Sequence, residues 1–439
     1  MARTVLQFLQ DEGIYVEAVC GGAGTCGKCV VEVGGVPCLA CQTIYDGQLI
    51  TKCDPLDDDG FAVLSAEVSG IDSGPYGLAL DIGTTTIAFA LVDLESGKVV
   101  ASYGVVNSQR AYGADVISRI KAASEGKLEA LRKSVMDDIS RGISCIGAEI
   151  RKIVIAGNTA MLHILMGEDC RSLGQYPFTP VFLEMREWEL NGVPALVLPG
   201  ISAFVGADIV AGVYSLDRDD YLLADLGTNG EIVLVSDGEI TATAAAAGPA
   251  FEGGNISCGT GSIPGAIYKY DVLGAYTIGK KRPIGLCGSG VIDVAAFCVK
   301  NGIINETGAM ERALEVAPGV NFTPKDVREL QLAKSAVRAG IEVLLGDLSD
   351  SKKSEINSMY LAGGFGHSLN VESAFILGIL PGIFRGKVCA VGNSSLAGCV
   401  RFLTESTDFA FLKNVREIEL SAHPRWGELF MDYMMFEKQ

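Results

Sequence analysis

The chain has no run of about eighteen uncharged apolar residues, so a membrane-spanning helix is not expected. It does not open with a basic stretch followed by an apolar one, which argues against export. Positive charge is short: 35 Lys and Arg stand against 53 Asp and Glu, a formal net charge of −18. That deficit argues against nucleic-acid binding and does not by itself choose among protein partners. Histidine is scarce, with three residues. His163 and His367 have helical neighbours and read as packing or surface groups; His423 lies in the C-terminal tail. Proline numbers 14 against 54 glycines, as in a turn-rich α/β protein, and 49% hydrophobic residues suffice for large cores. A length of 439 residues leads us to expect two or three domains.

Cysteine is not short. Of 13, five crowd into residues 20–41, and the others sit singly in apolar stretches such as "AAFCVK". This favours reduced thiols plus one metal site, and so a cytoplasmic protein. The stretch "CGGAGTCGKC" (20–29) fits three patterns. A P-loop needs Ser or Thr after its lysine to hold magnesium, and here that position is Cys29. A dinucleotide fingerprint should follow a strand and open a helix, whereas "VVEVGGVP" comes next and reads as a strand ending in a Gly-Gly turn. An iron–sulfur loop needs closely spaced thiolates and a further cysteine, and Cys20, Cys26 and Cys29 supply the spacing C-x5-C-x2-C. Small residues between them let backbone N–H groups turn toward cluster sulfur. The competing readings are a structural zinc loop and a chance cluster. The fourth thiolate is Cys38 or Cys41, in "VPCLACQT". Cys53 and the unused one of that pair read as ordinary buried thiols.

Residues 4–13, "TVLQFLQDEG", read as a short helix closed by Gly13. "DPLDDDG" (54–60) is acidic and turn-like, and "SGIDSGPYG" (69–77) reads as a linker. Strands and helices then alternate. "GADVISRIKAASEGKLEALRKSVMDDISRGISCI" has helical apolar spacing, "KIVIAG" is a strand, and Asn158 is placed to cap the helix that follows. The strongest architectural signal is an internal repeat. "LALDIGTTTIAFALVD" and "LLADLGTNGEIVLVSD" align without gaps, pairing Asp81 with Asp225, Gly83 with Gly227 and Thr84 with Thr228. Each is a hairpin with an acidic residue, a glycine and a hydroxyl at its tip.

Glycine brings backbone N–H groups close to phosphate and the hydroxyl adds a donor. An aspartate holds phosphate only through a hydrated Mg²⁺, so the pair suits an ATP–magnesium clamp. Gly83, Thr84, Thr85, Gly227, Thr228 and Asn229 are the expected phosphate-side residues. "MYLAGGFGHSLN" adds a strand running into Gly363 and Gly364, a turn against which adenosine can lie. Asp81 and Asp225 are expected to hold magnesium or position water. Asp208, at a helix start in "VGADIVAG", is either a helix-dipole partner or the base that orients the attacking water. Glu252 in "GPAFEGG" is placed to approach the nucleotide, and Arg110 to pair with a phosphate or an Asp.

The first cysteine loop resembles those of [2Fe–2S] ferredoxins, where the fourth cysteine lies in an "LAC"-like turn. On that resemblance Cys41 completes the set with Cys20, Cys26 and Cys29. Asp81-Ile-Gly83-Thr84, Asp225-Leu-Gly227-Thr228 and Gly363-Gly364 resemble the two phosphate motifs and the adenosine motif of the ASKHA superfamily. "NSQRAYGADVISRI", "AGNTAMLHILMGED", "YPFTPVF", "FVGADIVAG", "DLGTNGEI" and "AAGPAFEGG" narrow the resemblance to ATP-dependent reductive activators of corrinoid proteins, over residues 4 to about 415.

The resemblance implies an α/β fold: a duplicated ASKHA core, 78–205 and 206–439, behind a linker at 69–77. A small, truncated α+β ferredoxin-like domain (1–68) precedes it and lacks the usual first strands. It also implies that one electron passes from a [2Fe–2S] cluster to Co(II) on a corrinoid protein of a methyl-transfer system, giving Co(I). An external donor resupplies the electron and ATP with Mg²⁺ drives the step. Such a transfer costs about 1.4 kcal/mol per ~59 mV uphill, and plant-type clusters sit near about −400 mV. The middle domain of longer members is expected to be absent, and "CGTGSIPG" replaces the Met that usually follows "GPAFEGGNISCG". The competing functions are an ASKHA-type small-molecule kinase, for which no acceptor motif is present, and a nucleotide-gated binding module with a structural cluster. Activators of acyl-CoA dehydratases share the core but bridge one [4Fe–4S] cluster between subunits, against which the four-cysteine loop argues.

Overall fold

The apolar runs that carry the two Asp-x-Gly-Thr stretches become the central strands of two six-stranded sheets. The computed structural model describes residues 3–12, 14, 16, 18, 22, 24, 29–52, 74–217, 220–405 and 409–436. The chain divides into two units. One comprises Met1–Tyr214 with Ser395–Thr407, the other Ser215–Ser394 with Asp408–Gln439.

In the first unit the strand order is Val99–Val106, Thr86–Asp93, Tyr76–Ile82, Ile150–Gly157, Val193–Val197, Arg186–Leu190. The second unit has the order Glu239–Ala245, Gly230–Ser236, Tyr221–Leu226, Ser358–Ala362, Val388–Gly392, with Val415–Glu417 added beside Glu239–Ala245. In both, an antiparallel meander feeds a central strand whose other neighbour is parallel to it. The parallel neighbour requires a long crossover, supplied in the first unit by the helices within 116–146 and in the second by residues 246–357, which include Gly288–Lys300 and Pro324–Gly346. A strand flanked in this way is covered on both faces and reads as a continuous apolar run. Tyr76–Ile82 and Tyr221–Leu226 follow that rule at every position but one, and the residues that are not fully buried are Asp81 and Asp225.

The helical pattern over 113–146 is interrupted. Val116–Ala122 and Leu128–Ile146 are separated by the turn Ala123–Lys127, where Gly126 takes φ 91°. The break between units falls after the Ala207–Tyr214 helix, not at 205/206, because that helix packs on the Ile150–Gly157 strand. The late helix Ser394–Thr404 returns to the first unit from residue 395 onward. Of the expected linker, 69–73 lies outside the described residues, and Tyr76 and Gly77 already belong to a strand.

The N-terminal piece is a helix, Val5–Asp11, against three short strands in the order Val36–Leu39, Val30–Val33, Ile50–Lys52. Thr4 and Gln7 close a capping box at the helix start. Gly34 and Gly35, at φ 60° and 83°, make the expected hairpin turn. Val5, Leu6, Leu9, Cys29, Val31 and Ala40 form its core. Gly13 lies outside the described residues, and no described helix is long and apolar enough to cross a membrane.

Candidate functional site

In the first unit the tip Gly83-Thr84-Thr85 is fixed from one side. Asn107, fully buried, donates from Nδ2 to the Gly83 carbonyl at 2.9 Å, and its backbone N–H donates to the Thr85 carbonyl at 2.9 Å. The Arg119 guanidinium, also fully buried, donates to the Thr84 carbonyl at 2.6 Å and to the Gly113 carbonyl at 2.9 Å. Burial lowers its pKa to about 10 against the pull of Asp115 and Asp138, so it stays charged at neutral pH. In a trans peptide the carbonyl of one residue and the N–H of the next point in opposite directions. With the Gly83 and Thr84 carbonyls turned toward Asn107 and Arg119, the N–H groups of Thr84 and Thr85 face the other way. That is the arrangement an anion requires. A Cβ on Gly83 would meet the Thr86 carbonyl oxygen at 2.6 Å, so the turn admits only glycine.

Asp81 stands beside this tip. Ser395, from the first turn of the Ser394–Thr404 helix, donates to Asp81 Oδ1 at 2.8 Å. Asp208 lies in the first turn of Ala207–Tyr214. A Cβ on the preceding Gly206 would lie 2.7 Å from the Thr159 N atom and 2.9 Å from Asn158 Cα, so the two helix starts touch. Asn158 caps its helix as expected, accepting from the Ala160 N–H at 3.0 Å. The Cys399 thiol is held well above its ordinary pKa by complete burial, with the Asp81 and Asp208 carboxylates both adding to the shift. The structure therefore brings Asp81, Asp208, Gly83, Thr84 and Thr85 into one neighbourhood.

The second unit carries an independent set. The Gly227 N–H donates to the Asn229 carbonyl and the Gly248 N–H to the Thr228 carbonyl, each at 2.9 Å. The Thr228 hydroxyl donates to Glu252 Oε2. Glu252 is exposed to solvent, yet protein atoms crowd it closely enough to raise its pKa, with the Thr228 hydroxyl pulling the other way. Gly363 follows Ala362, the cross-strand partner of Asp225. It has φ +79°, and a Cβ there would lie 2.5 Å from Asp225 Oδ1. Glycine at 363 is thus the condition for Asp225 to occupy its place. Gly364 is open on all sides. The first unit repeats the plan: Gly157 follows Ala156, the partner of Asp81.

Of the expected thiolates, Cys20 and Cys26 lie outside the described residues. Cys29 is buried, and the Ala40 N–H donates to its carbonyl at 2.8 Å. Gly22 and Gly24 take φ +89° and +78°. A Cβ on Gly22 would stand 4.0 Å from Cys41 Cβ and 3.2 Å from a Leu6 methyl, and Gln42 Nε2 lies 3.5 Å from the Gly24 carbonyl. Gly22 therefore lies against Cys41, and Gly24 against the neighbouring Gln42. Cys38 sits in the Val36–Leu39 strand, paired with Val31. A buried thiol at Cys29 and a half-buried one at Cys41, the latter beside a positive-φ glycine, are compatible in chemistry with cluster ligands.

Asn107 and Arg119, which hold the Gly83–Thr85 tip, are not among the residues singled out from the sequence. Nor is Ser395; the Gly-Asn-Ser-Ser run that closes a strand was the available signal.

Residues 219–439 match the family model described as the C-terminal domain of RACo, the ASKHA domain, and residues 76–220 match the RACo middle region. The second match corrects the expectation that a middle domain is absent, because that model falls on the first of the two large sheets. The chain is 30% identical over 417 residues to corrinoid activation enzyme RamQ of Eubacterium limosum, covering 82% of this chain and 70% of that one. It is 27% identical over 384 residues to the [Co(II) methylated amine-specific corrinoid protein] reductase of Methanosarcina barkeri, covering 73% and 68%. Among solved structures it is similar to a reductive activator for corrinoid, iron–sulfur protein, at 27% identity and a TM-score of 0.72, covering 99% of this chain and 95% of that one.

Proposed function

The chain belongs to the RACo family of ASKHA-domain proteins, and on that premise we propose that it reductively activates a corrinoid protein, taking Co(II) to Co(I) at the expense of ATP. The observation that carries this reading is the 30% identity to a corrinoid activation enzyme across 82% of the chain. The two aspartate-tipped hairpins supply the ATPase. Backbone N–H groups at Thr84, Thr85 and Asn229 bind phosphate oxygens, Ser395 orients Asp81, and Gly363 leaves room for Asp225. Asp208 orients the attacking water, and Gly363 and Gly364 receive the adenosine. Asp81 and Asp225 are the carboxylates that would serve magnesium, which when bound would offset phosphate charge.

Cys20, Cys26, Cys29 and Cys41 hold a [2Fe–2S] cluster, with residues 1–68 as a ferredoxin-like domain. When bound, the cluster supplies a one-electron donor. The partner is a corrinoid protein of a methyl-transfer system, the electron comes from an external reductant, and the compartment is the cytoplasm, where thiols stay reduced.

The test is spectroscopic. With reductant, ATP and a Co(II) corrinoid protein present, the Co(II) absorption band should give way to the Co(I) band. Omitting ATP should stop the conversion. Rapid Co(I) formation without ATP would sink energy coupling, and a phosphorylated small metabolite would promote the kinase.

A further inference from the structure

The strands Ala266–Asp271, Gly274–Thr277 and Gly285–Leu286 form a small sheet outside the two large ones. The first two make a hairpin whose tip is Val272-Leu273. These residues are 85% and 84% exposed, above every other described large hydrophobic side chain. A two-residue hairpin turn ordinarily takes Asn, Asp or Gly. Here the turn is held without them at the tip: Asp271 Oδ1 accepts from the Leu273 N–H at 2.9 Å, and Gly274 carries φ +107°. The fold thus gains nothing from an apolar tip. Ile284 and Tyr268, 54% and 42% exposed, lie farther along the same sheet, away from the tip.

Charge on this sheet runs against the rest of the chain. Between Ala266 and Leu286 there are four cations, Lys269, Lys280, Lys281 and Arg282, and one carboxylate, Asp271, in a chain of net charge −18. All four cations are exposed. Lys269 pairs with Asp271 at 3.4 Å, whereas Lys280, Lys281 and Arg282 have no ion-pair partner among the described residues. The stretch "CGTGSIPG" (258–265) is tied to the same sheet. Leu286 N–H donates to the Cys258 carbonyl at 2.7 Å, and Gly265 N–H to the Ile278 carbonyl at 2.9 Å.

We propose that this basic, apolar-tipped hairpin is the docking surface for an acidic face of the corrinoid protein, with Val272 and Leu273 seated in a shallow apolar socket. The proposal rests on the function proposed above. An acidic partner is repelled by the chain as a whole and attracted at this patch, so charge selects one orientation. The same net charge opposes phosphate polymers and anionic lipid. The apolar tip then supplies the contact that slows dissociation.

The test uses the full chain, a Co(II) corrinoid protein that the wild type reduces, and two variants, Val272→Ser with Leu273→Ser, and Lys280→Glu with Lys281→Glu and Arg282→Glu. Partner affinity should fall about tenfold or more in each. The wild-type affinity should weaken with added salt, and the charge variant should lose that dependence. Partner-free ATP hydrolysis should be unchanged, which checks folding. If the wild type reduces the partner and both variants bind as tightly, the docking surface is wrong and the functional reading stands. If the wild type reduces no corrinoid protein, the functional reading falls and the surface falls with it. A tip variant that alters sedimentation of the chain alone would assign the tip to a second copy and overturn the proposal.

Discussion

Replacing Gly363 by Ala tests the role of Asp225, with turnover read at saturating ATP so that weaker adenosine binding does not limit the rate. Two costs follow from the structure. At φ +79° an L-residue pays about 1–2 kcal/mol, which lowers the melting temperature of a domain of this size by about 2–8 °C. The second cost is local. The new methyl would lie 2.5 Å from Asp225 Oδ1, against ordinary contact near ~3.5 Å. The carboxylate or the Gly363 turn must therefore move by about 1 Å, a displacement that typically costs ~10²-fold in rate at a reacting centre. Gly238→Ala is the control. Its φ is +76° with nothing within 4 Å, so it carries the first cost without the second. Melting curves and magnesium-dependent ATP hydrolysis at saturating ATP decide the matter. Both variants should lose similar stability, and only Gly363→Ala should lose about a hundredfold in turnover. Equal turnover in the two would refute either the crowding of Asp225 or its part in hydrolysis.

Anaerobically reconstituted protein should hold about two irons and two sulfides per chain; Cys41→Ala should abolish its EPR signal and Cys38→Ala should not, and the reverse result would make Cys38 the ligand. Asp81→Ala and Asp225→Ala should each remove magnesium-dependent hydrolysis and leave the cluster spectrum intact, since neither residue belongs to the N-terminal piece. Loss of the cluster in either variant would contradict that separation. Burial lowers the pKa of His163, whose ring accepts from the Val181 N–H at 3.0 Å and faces the Thr159 carbonyl at 2.7 Å. The unfolded chain therefore takes up the proton first, so stability should drop as pH falls through about 6.5. His163→Gln should flatten that slope in melting curves between pH 7 and 5.5, and an unchanged slope would exclude the histidine as its source.

The duplication was legible because its two central strands are buried on both faces, which leaves an unbroken apolar run and makes each aspartate conspicuous. Gly83 and Gly363 were legible for a similar reason: a Cβ at either would come within 2.6 Å of an oxygen, of the Thr86 carbonyl or of Asp225. The groups that orient those tips were not. Ser395 reaches Asp81 across 314 positions of chain, and Asn107 and Arg119 act through buried side-chain directions that local spacing does not encode. Arg119, three residues into a helix and fully buried, donates to the loop, and nothing in its motif marks it out. The second half of the repeat also passed unnoticed. "IVIAGNTA" and "MYLAGGFG" hold equivalent places beside the aspartates, and only strand pairing reveals it. The boundary at 205/206 failed because a helix start resembles a domain start when the strand it packs on lies fifty residues earlier in the sequence.

Why an ATPase would share a chain with the one-electron donor proposed above follows from what hydrolysis can do. ATP cannot push an electron; it can only change which conformation of the protein is favoured. A change of conformation helps the cobalt only if the corrinoid protein binds one nucleotide state more tightly than the other, because a partner with equal affinity for both shifts nothing. Moving the population from 1:99 to 99:1 takes about 5.5 kcal/mol of differential binding, equivalent to roughly 230 mV for one electron at ~59 mV per 1.4 kcal/mol. That difference has to be written into contacts the partner makes with the ATPase, not with the cysteine loop. A partner that binds the two nucleotide states equally well, yet is still reduced only when ATP is hydrolysed, would remove the basis of the coupling. The decisive measurement is therefore partner affinity in the presence of ATP analogue and of ADP, taken separately and compared.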